Sequence, residues 1–275
     1  MWDEGFERLY VERREVDLER YRGAYADERH VSVMVDQPAI VTLGNDAAPA
    51  AVYVELDEQL PMAVAALRSI RFATTSRTAG MVSTSRTFGY APKVTVRGEE
   101  TCRDAKLASE APTQHAVIAA LAEVVESWYR RLNPELYAQH EQIVSRVLPE
   151  WRLAGGVFTS GIINRNNKLP YHFDTGNFAD CWSNMLVFKS GCVGGNLVCP
   201  ELDLCFRLRD HSLLMFDGQS ILHGVSPFRI ARSDGYRFSI VFYSLQQMWR
   251  CDPKVDSVRL AAQRRTERER SRFAR

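Results

Sequence analysis

Apolar and polar positions change rhythm several times along the chain. Over residues 1–30 charges alternate with Trp2, Phe6, Leu9, Tyr10, Val16, Leu18 and Tyr21, which predicts an amphipathic helix or two laid against the body. From Val31 to Leu56 the runs HVSVMVD, PAIVTLG and AAVYVEL are short and β-like, separated by Pro38 and the turn-like GNDAAP, and are expected to extend a main sheet. Pro61 then stands where a first helical turn tolerates it, ahead of the helical MAVAALRSIRF. Thr113 reads as the N-cap of a long helix with Val117, Leu121, Val124 and Trp128 on one face. Asn133 and Pro134 start a second helix that carries Leu136, Ile143, Val147 and Leu148 inward. Trp151 to Ile163 reads as a strand interrupted at Gly155-Gly156, and residues 164–168 as a polar turn. After residue 182, SNMLVFK, GGNLVCP, LDLCFRLRD, SLLMFDG, HGVSPFRI and YRFSIVFYSLQ give six short β runs at near-regular spacing, the mark of a sandwich or barrel. Past Leu245 the chain turns polar, and Arg259 to Arg275 holds seven Arg against two Glu, a helix with a frayed end. The class is α+β.

Composition narrows this only a little. Hydrophobic residues at 45% and charged ones at 25% are an ordinary globular balance. A net charge of +1 means that any polyanion must be met by local patches. The six cysteines form no C-x-x-C pair and follow no secretory signal, which predicts reduced, structural thiols and a cytoplasmic setting. No apolar run is long enough for a membrane, and no obligate protein partner is evident. Phosphate-loop, nucleophile-elbow and H-E-x-x-H signatures are all missing.

The chemistry gathers between Tyr171 and Ser244. His172 and Asp174 stand two apart between Pro170 and Gly176, so in a strand they share a face and can grip one ion. His223, at the end of the run Ser212–Leu222, supplies a second imidazole. His211 competes for that role, but it sits at a strand start, whereas His223 follows a strand and precedes Gly224. Two histidines and one carboxylate with open positions suit non-haem Fe(II). Arg237 and Ser239 lie two apart on a later run, and a guanidinium fork beside a hydroxyl suits a dicarboxylate. Iron plus a dicarboxylate suggests 2-oxoglutarate.

The order His-x-Asp, His, Arg-x-Ser resembles the Fe(II)/2-oxoglutarate dioxygenases. SRTFGYAPK (85–93), NPELYAQH (133–140), YHFD, GGNLVCPELDL (194–204) and LMFDGQSILHGVSP (214–227) resemble their Tet/JBP branch, in particular its bacteriophage-type members. The resemblance implies a double-stranded β-helix with Fe(II) held by His172, Asp174 and His223. It also implies 2-oxoglutarate held by Arg237 and Ser239, O2 as oxidant, and hydroxylation of the 5-methyl group of a pyrimidine in DNA, 5-methylcytosine ahead of thymine. The domains would then be an N-terminal helical arm (1–30), a dioxygenase domain (31–250, its supporting half 31–150 and catalytic half 151–250) and a basic tail (251–275). A hydroxylase of a small molecule or peptide, and a non-catalytic reader of modified DNA, are the alternatives.

A base must leave the duplex to reach an iron, which calls for stacking and edge contacts. Residues 68–106 carry eight Lys/Arg against three Asp/Glu, and Arg77, Arg86, Thr87, Phe88, Tyr90 and Lys93 are candidate nucleic-acid contacts there. Tyr171, Phe173 and Trp182 are further candidate stackers, and Asn164 and Asn184 candidate base contacts.

Overall fold

The structure is a computed structural model that describes residues 5–21, 23–44, 48–76, 82–93 and 101–273. In chain order it forms β1 (Glu7–Val11), α1 (Leu18–Tyr21), β2 (Val33–Val35), β3 (Ala39–Leu43), β4 (Pro49–Glu55), α2 (Pro61–Ser69), β5 (Ala73–Ser76) and β6 (Val82–Ala91). There follow β7 (Arg103–Asp104), α3 (Lys106–Glu110), α4 (Pro112–Leu132), α5 (Pro134–Val144), β8 (Ser160–Arg165), β9 (Ser183–Ser190), β10 (Cys192–Gly194) and β11 (Leu197–Cys199). The last elements are β12 (Leu204–Phe206), β13 (Ser212–Phe216), β14 (Gly224–Val225), β15 (Phe228–Ile230), β16 (Tyr236–Tyr243) and α6 (Lys254–Phe273).

One large sheet runs β1-β3-β4-β13-β9-β16-β8-β6-β5, with β7 paired to β6; a smaller one runs β14-β11-β12-β2, and β10 pairs with β15. One core cluster joins Val41, Tyr53, Val187 and Leu214 of the large sheet to Val35, Leu197, Leu204 and Phe206 of the small one, so two sheets face each other as in a jelly roll. A second cluster joins the other face of the large sheet, through Phe88, Leu186, Ile240 and Phe242, to Leu67 of α2, Leu121 and Val125 of α4 and Tyr137 of α5. Each such buried side chain contributes about 1.5–3 kcal/mol. The helices therefore back the large sheet, and the space between the sheets is left for a site.

The first 35 residues depart from the expected helical arm. Residues Glu7–Val11 form a strand paired in parallel with β3, and β2 pairs in parallel with β12, so the segment edges both sheets. Leu9 and Val11 alternate with Arg8 and Tyr10 over five residues, a period-2 pattern too short to stand out among the surrounding charges. Among the described residues of this segment, only Leu18–Tyr21 is α-helical. Glu28–His30 is a 3-10 turn capped by Asp27.

Other elements shift in detail. Helix α4 starts at Pro112 with Ala111 as N-cap, not Thr113, and its buried stripe is Ile118, Leu121, Val125, Tyr129 and Leu132. Val117, Val124 and Trp128 flank that stripe. The helix is apolar over so wide an arc that its inward face was ambiguous, and Glu126, buried, lies on that face. The Glu126 carboxylate accepts from Val157 N (3.0 Å) and Tyr137 Oη (3.1 Å), while desolvation pushes its pKa up. Asn133 does cap α5, its side chain accepting from Leu136 N. In place of a strand beginning at Trp151, two 3-10 turns lead into β8 at Ser160. Cys102 and Cys251 are joined in a disulfide, against the expectation of six free thiols; Cys181, Cys199 and Cys205 are buried and free.

His140 is fully buried, and its Nε2 lies 3.0 Å from Ser244 Oγ. That hydroxyl donates to the Val157 carbonyl, so the imidazole Nε2–H is the donor in the pair. Burial pushes the His140 pKa down to about 3. The unfolded chain therefore binds a proton below about pH 6.5 that the native state refuses, and stability falls with falling pH by about 1.4 kcal/mol per unit toward pH 3. Urea unfolding between pH 7 and 4 should show this slope, reduced by one proton in His140→Phe.

Candidate active site

Residues of both sheets line a cavity of about 530 Å³. His172 and His223 form an isolated antiparallel bridge there, His172 N donating to His223 O (2.9 Å) and His223 N to His172 O (3.1 Å). The segment Tyr171–Asp174 is thus extended, but it is not the regular strand that the spacing suggested. The two imidazole centroids lie 4.4 Å apart. His172 Nδ1 is 2.9 Å from Pro170 O and His223 Nδ1 is 2.9 Å from Ile221 O. A carbonyl only accepts, so each Nδ1 carries the hydrogen and each Nε2 keeps its lone pair for a metal. Asp174 Oδ1 stands 3.9 Å from His172 Nε2, and ligand atoms from all three residues lie within 4.8 Å of one another.

Two residues that sequence reasoning passed over hold Asp174. Its N–H donates to Gly218 O (2.8 Å), and Ser183 Oγ donates to its Oδ2 (3.3 Å). A Cβ at Gly218 would meet Asp174 Oδ2 at 2.4 Å and His223 Cε1 at 3.4 Å. Gly218 thereby keeps the candidate metal seat open. Gly218→Ala should weaken Mn(II) or Fe(II) binding by about 10–100-fold, the usual cost of disturbing a ligand's support, with an unchanged circular dichroism spectrum; titration by isothermal calorimetry measures it. His211, the rival ligand, is engaged elsewhere: its Nε2 accepts from Leu60 N (3.2 Å) and its Nδ1 is 3.1 Å from Asp210.

The other end of the site is Arg237. It is 1% exposed, its Nε donates to Gly195 O (3.1 Å), and its buried Nη2 has no hydrogen-bond partner. Burial lowers its pKa to about 10, which still leaves it charged at neutral pH. A buried, charged donor without a partner is costly, and a carboxylate would complete it. Gly195, at φ +75°, is required beside it, because a Cβ there would meet Arg237 Nε at 2.7 Å. Ser239, Val241 and Tyr243 follow on the same face of β16 and line the cavity.

The N-terminal segment closes the site from outside. Leu18, Tyr21 and Gly23 line the cavity, Tyr171 packs edge-on against Tyr21 (4.8 Å), and Tyr171 Oη is 2.9 Å from His30 Nδ1. Arg13 Nη2 binds Glu201 Oε1 (2.9 Å) and also the Ser220 carbonyl, while Glu201 Oε2 accepts from Leu222 N (2.6 Å). The segment so clamps the loop that presents His223.

The candidate nucleic-acid contacts scatter. Arg77 lies outside the described residues. Phe88 is fully buried against Phe242 and cannot stack a base. Tyr90 packs on Trp151 with Lys254 over its ring. Arg86 donates to Arg71 O and pairs with Glu110, Lys93 pairs with Asp252, and Thr87 is exposed. Most of SRTFGYAPK thus belongs to strand β6, with Phe88 in the core. Trp182 stacks on Tyr129 in the core (5.5 Å). Asn184 is buried on the face of β9 opposite the cavity-lining Ser183 and Met185, with both amide atoms unpaired. Tyr171, Phe173 and Asn164 do line the cavity.

Residues 87–246, more than half of the chain, match the model of the Tet/JBP family, the oxygenase domain of the 2OGFeDO superfamily. The chain belongs to the Tet/JBP oxygenases. All five candidate metal and co-substrate residues fall inside the matched span. Among curated proteins this oxygenase is 25% identical over 156 residues to the bifunctional helicase and thymine dioxygenase JBP2 of Leishmania braziliensis, covering 56% of this chain and 14% of that protein. It is 22% identical over 165 residues to thymine dioxygenase JBP1-A of Trypanosoma cruzi, covering 56% and 20%. The chain thus spans a small part of these relatives. A solved structure of NgTET1 in complex with 5mC DNA superposes with a TM-score of 0.63 at 12% identity, covering 93% of this chain and 90% of that one, which establishes the shared fold. The superfamily's chemistry uses Fe(II), 2-oxoglutarate and O2, and the donor set here fits them: two imidazoles whose Nδ1 atoms carry the hydrogen, one carboxylate and a buried guanidinium whose Nη2 has no hydrogen-bond partner.

Proposed function

We propose that this oxygenase hydroxylates the 5-methyl group of a pyrimidine in DNA, the base being turned out of the helix into the cavity. The observation that carries the reading is the convergence of His172, Asp174 and His223 at a cavity whose wall continues along β16 to the unpaired Arg237. A volume of about 530 Å³ lies within the range of about 300–1,000 Å³ typical of ligand sites. When bound, Fe(II) and 2-oxoglutarate supply the oxidation that replaces a C–H hydrogen by hydroxyl.

The protein's own part is placement. His172, Asp174 and His223 would hold the iron on one side, leaving the other for co-substrate and oxygen. Arg237 and Ser239 would hold the far carboxylate of 2-oxoglutarate. Phe173 and Tyr171 would wall the substrate side and keep out water, which strengthens every charge interaction inside. The DNA substrate is supported by the relatives, thymine dioxygenases by name, and by the structural neighbour solved with 5mC DNA. We favour 5-methylcytosine; thymine is the second reading, favoured by the sequence relatives.

The test is incubation with Fe(II), 2-oxoglutarate and air on duplexes that carry 5-methylcytosine or only thymine and cytosine, then digestion and mass spectrometry. A hydroxymethylated nucleoside supports the reading and names the base. Succinate formed with a free metabolite or peptide, and no new nucleoside with either DNA, would overturn it.

A further inference from the structure

The polar turn before the metal segment connects to the cavity through a chain of side-chain amides. Asn167 Oδ1 accepts from Thr84 N (2.9 Å), and Asn167 Nδ2 donates to Thr84 O (3.0 Å). A backbone N–H only donates and a carbonyl only accepts, so the Asn167 amide has one permitted orientation. Its Nδ2 also donates to Asn164 Oδ1 (3.2 Å). That contact fixes the second amide in turn, with Asn164 Nδ2 facing Ser239 Oγ at 3.5 Å. Asn164 and Ser239 are register partners on β8 and β16, both are buried, and both line the cavity.

We propose that Asn164 is a co-substrate-binding residue, locked by Asn167 so that its N–H2 group and the Ser239 hydroxyl both present hydrogens to the carboxylate that Arg237 holds. The Ser239 oxygen faces an N–H, so its own hydrogen is free to point into the cavity. Arg237 stands two residues away on the same face of β16 and offers only donors. Three groups that each offer a hydrogen, one of them a charged guanidinium, favour an anion, so this wall favours a 2-oxo dicarboxylate over a 2-oxo monocarboxylate. Thr84 then serves the site through its backbone, which gives the β6 segment a role within the cavity wall distinct from DNA contact. This inference rests on the proposed use of 2-oxoglutarate and reassigns Asn164, which the sequence suggested as a base contact.

The test measures binding of N-oxalylglycine, an unreactive mimic of 2-oxoglutarate, to the 275-residue protein loaded with Mn(II), by calorimetry. Asn167→Asp keeps size and still accepts from Thr84 N, but it offers no N–H to Asn164, so the second amide loses its orientation. Asn164→Ala removes the donor and leaves the Asn167–Thr84 pair intact. Both variants should weaken N-oxalylglycine about tenfold, as expected for one lost hydrogen bond to a charged group, with Mn(II) affinity and DNA affinity within twofold of the parent. Unchanged N-oxalylglycine affinity in Asn164→Ala, or a loss confined to DNA, would overturn the inference. If Asn167→Asp does not fold, Asn164→Ala decides alone. Failure of the parent protein to bind N-oxalylglycine would instead count against the proposed function.

Discussion

Asp174→Ala is expected to lower Fe(II) affinity by more than about two orders of magnitude, beyond the 10–100-fold that losing a ligand's hydrogen-bond partner costs, and to abolish hydroxylation of every substrate. Asp174 is the one carboxylate in the cluster, and without it two neutral imidazoles face a divalent cation with no compensating charge. The fold should survive. Asp174 is partly exposed at the cavity mouth, and the His172–His223 backbone bridge does not involve its side chain. Anaerobic Fe(II) titration with circular dichroism as control decides the matter. Retained stoichiometric iron at unchanged affinity would mean that the metal sits elsewhere.

Arg237→Ala is expected to raise the dissociation constant for 2-oxoglutarate by about 30–5,000-fold, since truncating one member of a buried, hydrogen-bonded charge pair costs about 2–5 kcal/mol. Mn(II) affinity should not change, because Arg237 supplies no ligand to the cluster. Stability should change little or rise, because the native state buries this charge with an unpaired Nη2. Arg237→Lys should recover only part of the binding, a point charge replacing a planar fork. Equal 2-oxoglutarate affinity in all three proteins would remove Arg237 from the site.

The candidate metal and co-substrate residues could be picked out from the chain because each pairing depends on short-range spacing. His172 and Asp174 share a face over two residues, as do Arg237 and Ser239, and the runs that carry them have β character. The six β runs after residue 182 were legible for the same reason. What stayed hidden depends on pairing across long separations. Residues 7–11 become a strand because β3 offers an open edge, which no local pattern announces. Gly218 matters because of Asp174, 44 positions earlier, and Asn167 because of Thr84. Phe88 and Tyr90 looked available for a base because an aromatic in a basic stretch reads the same on either face of a strand; the partners Phe242 and Trp151 decide the face. The disulfide joins cysteines 149 positions apart with no motif around either.

His172 and His223 are tied to each other by two main-chain hydrogen bonds, and each ring is pinned by a neighbouring carbonyl. The polypeptide alone therefore assembles the candidate seat. A trio of two imidazoles and one carboxylate uses donor types common to many divalent ions, so occupancy follows intrinsic affinity and supply. Cobalt, nickel and copper stand above iron in that order of affinity, and a cell rich in them would silence the enzyme by competition without unfolding it.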